Sequence, residues 1–164
     1  MKRLLMVAAS FAVLLFAGCK SLREPARDFT PTLARFFLET TDVGTAAVEL
    51  PISGVRVTIG AKPVLTEGDI VDVDLMQVEL GKCLMFQLTP SAARDLYRLT
   101  ASSQGRRLVL LLNQMPVGAR RIDAPLTDGR IFMFAEVTDA ALPVLVTNLK
   151  KTTAELQRAI AKKK

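Results

Sequence analysis

The stretch Ile70–Leu88 constrains this chain more than any other. Ile70-Val71-Asp72-Val73-Asp74-Leu75-Met76-Gln77-Val78-Glu79-Leu80 alternates over much of its length. Asp72, Asp74, Met76, Val78 and Leu80 share the parity of Ile70, while Val71, Val73 and Leu75 lie opposite. Successive strand residues point to opposite faces, so a period of two predicts a half-buried strand. Gly81-Lys82 predicts a turn into a second strand over Cys83–Leu88, which makes the pair a hairpin.

The residues after the hairpin predict helix, strands and helix. Thr89 is placed to cap and Pro90 to occupy the first helical position. Ala92, Leu96 and Leu99, with Ala93, give that helix its apolar side, and Gly105 stops it. Leu108–Leu112 is an unbroken apolar run between Arg107 and Asn113, which suits a central strand covered on both faces. Asn113-Gln114 turns the chain and Pro116–Ile122 returns it. Pro125 and Asp128-Gly129 punctuate before Ile131–Val137. A final helix is expected from near Thr138-Asp139, with Leu142, Leu145, Val146, Leu149, Leu156 and Ile160 as its core-facing stripe. Pro143 is tolerated only in its first turn. Upstream, Arg35–Glu39 and Val55–Ile59 read as strands, and Val43–Ser53 is ambiguous. The expected fold is α+β: a single domain with a mostly antiparallel or mixed sheet, one internal helix and a C-terminal helix.

The start of the chain follows other rules. Lys2 and Arg3 precede an apolar run, Leu4–Phe16, which ends in Phe16-Ala17-Gly18-Cys19. This is a secretory signal pattern, and the run is short for a spanning helix, which needs about 20 apolar residues. Its end resembles the lipobox of bacterial lipoproteins. That resemblance implies cleavage between Gly18 and Cys19 and a diacylglycerol thioether on Cys19, with an amide-linked acyl chain beside it. Two or more acyl chains anchor stably, whereas one does not. Lys20, where an Asp would signal inner-membrane retention in such lipoproteins, implies the outer membrane facing the periplasm if the organism has two membranes. The expected organisation is a lipoprotein signal peptide over 1–18 and a tether over 19–32. The N-terminal strands of the domain follow over 33–62, its main α+β part over 63–150, and a basic helix end over 151–164.

Removing the signal leaves 164 − 18 = 146 residues, enough for one domain with a real core. The charge of that part is 20 − 16 = +4. Much of it sits at Lys150, Lys151, Arg158 and Lys162-Lys163-Lys164, which suits either anionic lipid or envelope polymer, or a solvated helix end. Aromatic residues for stacking on bases are scarce there and the address is an exported one, so nucleic acid is not an expected partner. The chain has no histidine. That removes Ser-His-Asp hydrolysis, His-ligated zinc and imidazole acid–base work. With Cys19 lipidated, Cys83 has no disulfide partner and sits in an apolar strand as an inert thiol. No enzyme, catalytic residue, cofactor or metal is expected. Glu67, Asp69, Asp72 and Asp74 lack the spacing of a calcium loop and read as a turn plus a wet strand face. Arg106, Arg107, Arg120, Arg121 and Arg130 would form an anion- or carboxylate-binding patch if they converged on one sheet edge. Arginines on edge strands also discourage aggregation, and the sequence does not separate the two readings. Exposed strand edges offer the better surface, because an extended peptide pairs there through its backbone.

Pro63-Val64-Leu65-Thr66-Glu67-Gly68-Asp69 resembles the Pro-x-Leu-Thr-Gly-x-Asp stretch of SecD, an auxiliary subunit of the bacterial protein-export channel. Ala92-Ala93-Arg94-Asp95-Leu96-Tyr97-Arg98-Leu99-Thr100 is similar to its Gly-Ala-x-x-Phe-x-x-Leu-Thr helix. Gly105–Leu112 is similar to its Gly-Lys-x-Leu-Ala-Ile-Val-Leu strand. Ala119–Gly129 resembles its Ala-Pro-x-Ile-x-x-x-Ile-x-x-Gly segment, with Arg120 in place of Pro. The match covers about Pro63–Phe134, the head of SecD's first periplasmic domain. It implies that fold and a habit of contacting exported polypeptides. It does not imply translocase activity, since the intramembrane charged residues of SecD have no counterpart here. The expected function is therefore a non-enzymatic, lipid-anchored envelope protein that binds an envelope or exported protein, or an extended polypeptide. The alternative is a structural envelope lipoprotein whose basic C-terminus contacts membrane or anionic polymer. Its oligomeric state is not legible.

Overall fold

A computed structural model describes residues 28–42 and 45–163. The expected signal peptide, the cleavage site at Gly18 and Cys19, most of the tether and Lys164 lie outside these residues. Eight strands run in the order β1 (Ala34–Leu38), β2 (Ala47–Glu49), β3 (Arg56–Thr58), β4 (Ile70–Val78), β5 (Gly81–Leu88), β6 (Arg107–Leu112), β7 (Met115–Arg121) and β8 (Arg130–Met133). Helix α1 (Pro90–Ser102) lies between β5 and β6, and α2 (Leu142–Ala161) closes the domain. The strands form three small antiparallel sheets, β1-β6-β7, β2-β3 and β4-β5-β8, rather than one. The fold is α+β, as expected.

The β4–β5 hairpin forms, but its turn is Glu79-Leu80, not Gly81-Lys82, because Val78 pairs with Gly81. The register explains the shift. It sets Val73 opposite Phe86 and Leu75 opposite Leu84, apolar against apolar. A turn at Gly81-Lys82 would instead set Gln77 against Phe86 and Glu79 against Leu84, and bury polar side chains. Gly81, at φ +123°, takes a backbone conformation that L side chains rarely adopt. A bulge follows Ile70, since Ile70 pairs with Leu88 but Asp72 with Gln87. The extra residue, Val71, turns Ile70 onto the Val73 face, against the simple alternation. Both are fully buried.

Strand β6 is the middle of the molecule. Leu108, Leu110 and Leu112 face the main core, with Phe36, Phe86, Leu84, Ile131, Met133 and the apolar sides of both helices. Val109 and Leu111 face a second cluster with Val57 and Ile59 from the β2-β3 side. The rings of Phe36 and Phe86 meet edge to face at 5.1 Å and join two sheets, a geometry worth about 0.5–1.5 kcal/mol beyond burial.

Thr89 caps α1 as expected, its Oγ1 accepting from Ala92 N at 3.3 Å. Helix α2 begins at Leu142, later than Thr138-Asp139, because Thr138–Ala141 makes a separate turn (Ala141 N to Thr138 O, 2.9 Å) ahead of Pro143. Its stripe holds at Leu142, Val146 and Leu149, then passes to the buried Thr152 and Thr153, leaving Leu156 half-buried and Ile160 exposed. The incoming chain explains the threonines: Thr32 N donates to Thr152 Oγ1 at 2.9 Å, and Thr152 Oγ1 to Asn148 O at 2.7 Å. Residues 28–33 are therefore docked. Lys151 binds Asp28 at 2.6 Å and stacks over Phe29, and Asn113 bonds Leu33 N and Pro31 O. At the far end Gln157 Nε2 donates to Gly68 O and Ile70 O, fixing α2 to the start of β4.

Candidate functional site

The five arginines do not share one surface. Arg106 donates from Nε (2.7 Å) and its terminal nitrogen to the Glu39 carbonyl. Arg107 pairs with the Glu39 carboxylate, through its backbone N–H at 2.8 Å and its guanidinium at 3.2 Å. Both are spent closing the start of β6 against the end of β1. Arg121 stands opposite Arg107 in the β6–β7 register and reaches Asp123 at 3.5 Å on an exposed surface. Arg120 turns to the second sheet and donates to Phe132 O at 3.2 Å. Arg130 begins β8, opposite Gln87, with its N–H on Asp128. Arg120 and Arg121 line a common cavity.

That cavity is an open cleft of about 450 Å³ where the two larger sheets meet. Arg120, Arg121 and Ala119 of β7, with Asp123 just beyond it, form one side, Phe132 and Phe134 of the β8 segment the other, and Leu80 at the hairpin tip closes an end. Leu80 is 86 % exposed and Phe134 43 %. The sheets come within contact at Gly118, where a Cβ would strike the Phe134 carbonyl oxygen and press on Met133. Only glycine fits there, and past it the edges diverge into the cleft. Cys83 lies beneath, buried beside Arg120. Burial pushes its thiol pKa up and the Arg120 charge only partly opposes this, which keeps it an unreactive thiol at neutral pH.

The backbone adds a second element. Ile122 spends both groups on the β6 side, donating to Arg106 O at 2.8 Å and accepting from Gly105 N at 2.8 Å. Antiparallel strands alternate the direction of these groups. Ala119 and Arg121 therefore direct theirs away from β6, while Val117 is the extra residue of a bulge between Pro116 and Gly118. Val117 O is taken by Glu136 N at 2.5 Å, whereas Ala119 and Arg121 have no backbone partner on that side among the described residues. A short free edge thus runs along the floor of the cleft. The arginines were legible as candidates, but Leu80, Phe132 and Phe134 were missed. An apolar residue at a hairpin tip is the available signal, and a turn at Gly81-Lys82 hides it by putting Leu80 in the strand.

The four acidic residues are each engaged. Glu67 forms a two-pronged pair with Arg35 (2.8 and 2.9 Å), and Asp69 accepts from Thr66 N and Oγ1, both at 2.8 Å. Lys150 bonds Asp74 closely and stands 3.9 Å from Asp72. The hydrogen bond to Asp74 raises the Lys150 pKa, with burial opposing it. A second depression, on α1, is lined by Ala93, Arg94, Tyr97, Arg98 and Thr127. Arg98 is paired there with Asp95, and a helix surface has no free backbone edge.

No protein-family model matches the chain, and no curated protein matches it in sequence. Among solved structures it is similar to one described as the structure and function of a membrane component SecDF that enhances protein export. That match has a TM-score of 0.55 and 17% identity, over 73% of this chain and 63% of that one. It is also similar to SecDF in a super-membrane-facing form, with a TM-score of 0.54 and 15% identity, over 77% of this chain and 18% of that one. The chain thus spans less than two thirds of the length of either. The likeness shows a SecD-like fold. No helix among the described residues is long and apolar enough to cross a membrane.

Proposed function

We propose that this protein is a non-enzymatic, lipid-anchored component of the cell envelope whose SecD-like domain binds an extended polypeptide, in a partner or an exported protein. The observation that carries the reading is the unpaired outer edge of β7 at Ala119 and Arg121, open to solvent beside exposed apolar side chains. An edge of this kind satisfies the backbone of an extended chain and not that of a folded one. The envelope address rests on the N-terminal signal pattern with Cys19 and is supported by the likeness to a membrane component that enhances protein export. Lipid attachment at Cys19 is tested by feeding cells labelled palmitate: label should enter the protein and be lost in Cys19→Ala. Binding is tested with the intact protein, purified from membranes, against a fluorescent, reduced and carboxymethylated polypeptide. Saturable micromolar binding of the unfolded chain, and none of the same chain folded, is expected. Equal indifference to both would overturn the reading.

A further inference from the structure

We infer that the cleft between β7 and the β4–β5 tip takes one extended apolar segment carrying an acidic side chain, which adds as a strand to the free edge of β7. This rests on the polypeptide-binding reading above and gives it a place and a ligand chemistry.

Three observations converge. The first is the edge itself. Glu136 N already occupies the outward carbonyl of Val117, so the β8 segment begins a pairing with β7 that stops where the sheets diverge. An incoming strand at Ala119 and Arg121 continues that pairing. The second is the wall. An extended segment sends alternate side chains to opposite sides. One such side faces Leu80, Phe132 and Phe134, two of which are exposed without cover. The third is charge. Arg120 lies between the two edges with one nitrogen on Phe132 O and no carboxylate partner among the described residues. Arg121 is already paired with Asp123, which also lines the cleft, at 3.5 Å, so the uncompensated charge is that of Arg120. A guanidinium carries five donors in a planar fork that fits a carboxylate, so donors remain for an acidic group of the ligand.

The same charge argues against a second copy of this chain. Pairing β7 with β7 would set Arg120 and Arg121 against their own counterparts, which repel. An acyl chain would cover Leu80 and Phe134 but leave the edge and the remaining donors of Arg120 without a partner.

The test uses the intact protein and a fluorescein-labelled peptide, Ser-Val-Leu-Val-Glu-Val-Leu-Ser. Two relatives accompany it, one with Lys for Glu and one N-methylated at alternate residues, which removes backbone donors while keeping the side chains. The parent should bind wild type. It should bind Leu80→Ser and Arg120→Gln about tenfold or more weakly, as loss of a central contact does. The Lys peptide should be weakened on wild type but not further by Arg120→Gln, and the N-methylated peptide should not bind. Leu80 is exposed, so its variant keeps the fold, which circular dichroism checks. If both variants bind the parent peptide and the long unfolded chain as wild type does, the cleft is not the site, and polypeptide binding then rests on the binding data alone and no longer on the β7 edge. If wild type binds neither, both fall. Equal binding of the N-methylated peptide would show a merely apolar contact and overturn strand addition.

Discussion

The sheets β1-β6-β7 and β4-β5-β8 are equal in strand number and opposite in economy. In the first, β6 is covered on both faces, with Leu108, Leu110 and Leu112 on one side and Val109 and Leu111 on the other. In the second, one face, carrying Val73, Leu84, Phe86, Ile131 and Met133, enters the core. The other carries Asp72, Asp74, Met76, Met85 and Phe132, all at least partly open to solvent, with Cys83 as its buried exception. Burial on both faces concentrates stability. A face left open holds apolar surface that contributes little to folding and remains available for recognition. The candidate cleft lies where the two regimes touch.

The sharpest way to break this contrast is to delete the same kind of group on each side of it. Leu110 is fully buried in the main core, and Leu110→Ala should cost about 3–5 kcal/mol in urea unfolding, through lost transfer energy and a cavity. A cost below about 1 kcal/mol would mean that β6 is not the centre of the fold. Next comes the seam. Gly118→Ala puts a Cβ into the Phe134 carbonyl, a backbone atom that cannot rotate away. It should destabilise by about 1–3 kcal/mol through forced backbone shifts and widen the cleft, read as altered peptide affinity alongside the melting curve.

A smaller effect separates the ties of the closed region from those of the open one. Arg35 hydrogen-bonds Glu67 and holds its carboxyl below the ordinary range, with burial opposing. A depressed folded-state pKa contributes stability above the unfolded value of about 4.3, and that contribution is lost as pH falls through the lower folded value. Burial pushes Glu136 up, but hydrogen bonds from Ser53 and Ile52 outweigh it and hold it low too. Stability should thus decline as pH drops from about 5 toward 3. Glu67→Gln should flatten that decline and cost roughly 0.5–1 kcal/mol at neutral pH, a modest value because Arg35 is half-exposed. Loss of the exposed Lys82–Asp139 pair of the hairpin should cost less than about 0.5 kcal/mol at neutral pH when Asp139 is changed to Asn. An unchanged acid limb in Glu67→Gln would remove the Arg35 pair as a tie.

What the sequence showed and what it hid divide along the same line. Local signals were readable because their physics is local: the period of β4, the Thr89 cap, the apolar run of β6 and the Asn113-Gln114 turn, where both residues take positive φ. Three features depended on partners far along the chain. The hairpin turn moved to Glu79-Leu80 because Phe86 and Leu84 chose their opposites. Thr152 replaced an apolar residue in the α2 stripe because Thr32 lies against it. The candidate arginine patch divided because Glu39 takes Arg106 and Arg107 while β7 carries Arg120 toward the other sheet. The separation into three sheets belongs to the same class: strand order is a property of packing, and no run of residues spells it.

The least costly substitution is the most telling one. Leu80 is apolar, yet 86 % exposed at the tip of a two-residue turn whose register is set by Val78 and Gly81 on either side. Folding removes little of its surface from water, so Leu80→Ser should change unfolding free energy by no more than about 0.5 kcal/mol. Leu110 and Leu80 thus share a side chain and differ severalfold in what folding asks of it. If Leu80→Ser leaves the urea midpoint in place while peptide affinity falls, the exposed leucine is held there for binding. If instead the midpoint drops by more than about 1 kcal/mol equivalent, the tip packs onto the domain in solution, the cleft is closed by its own chain, and the contrast between the two sheets disappears.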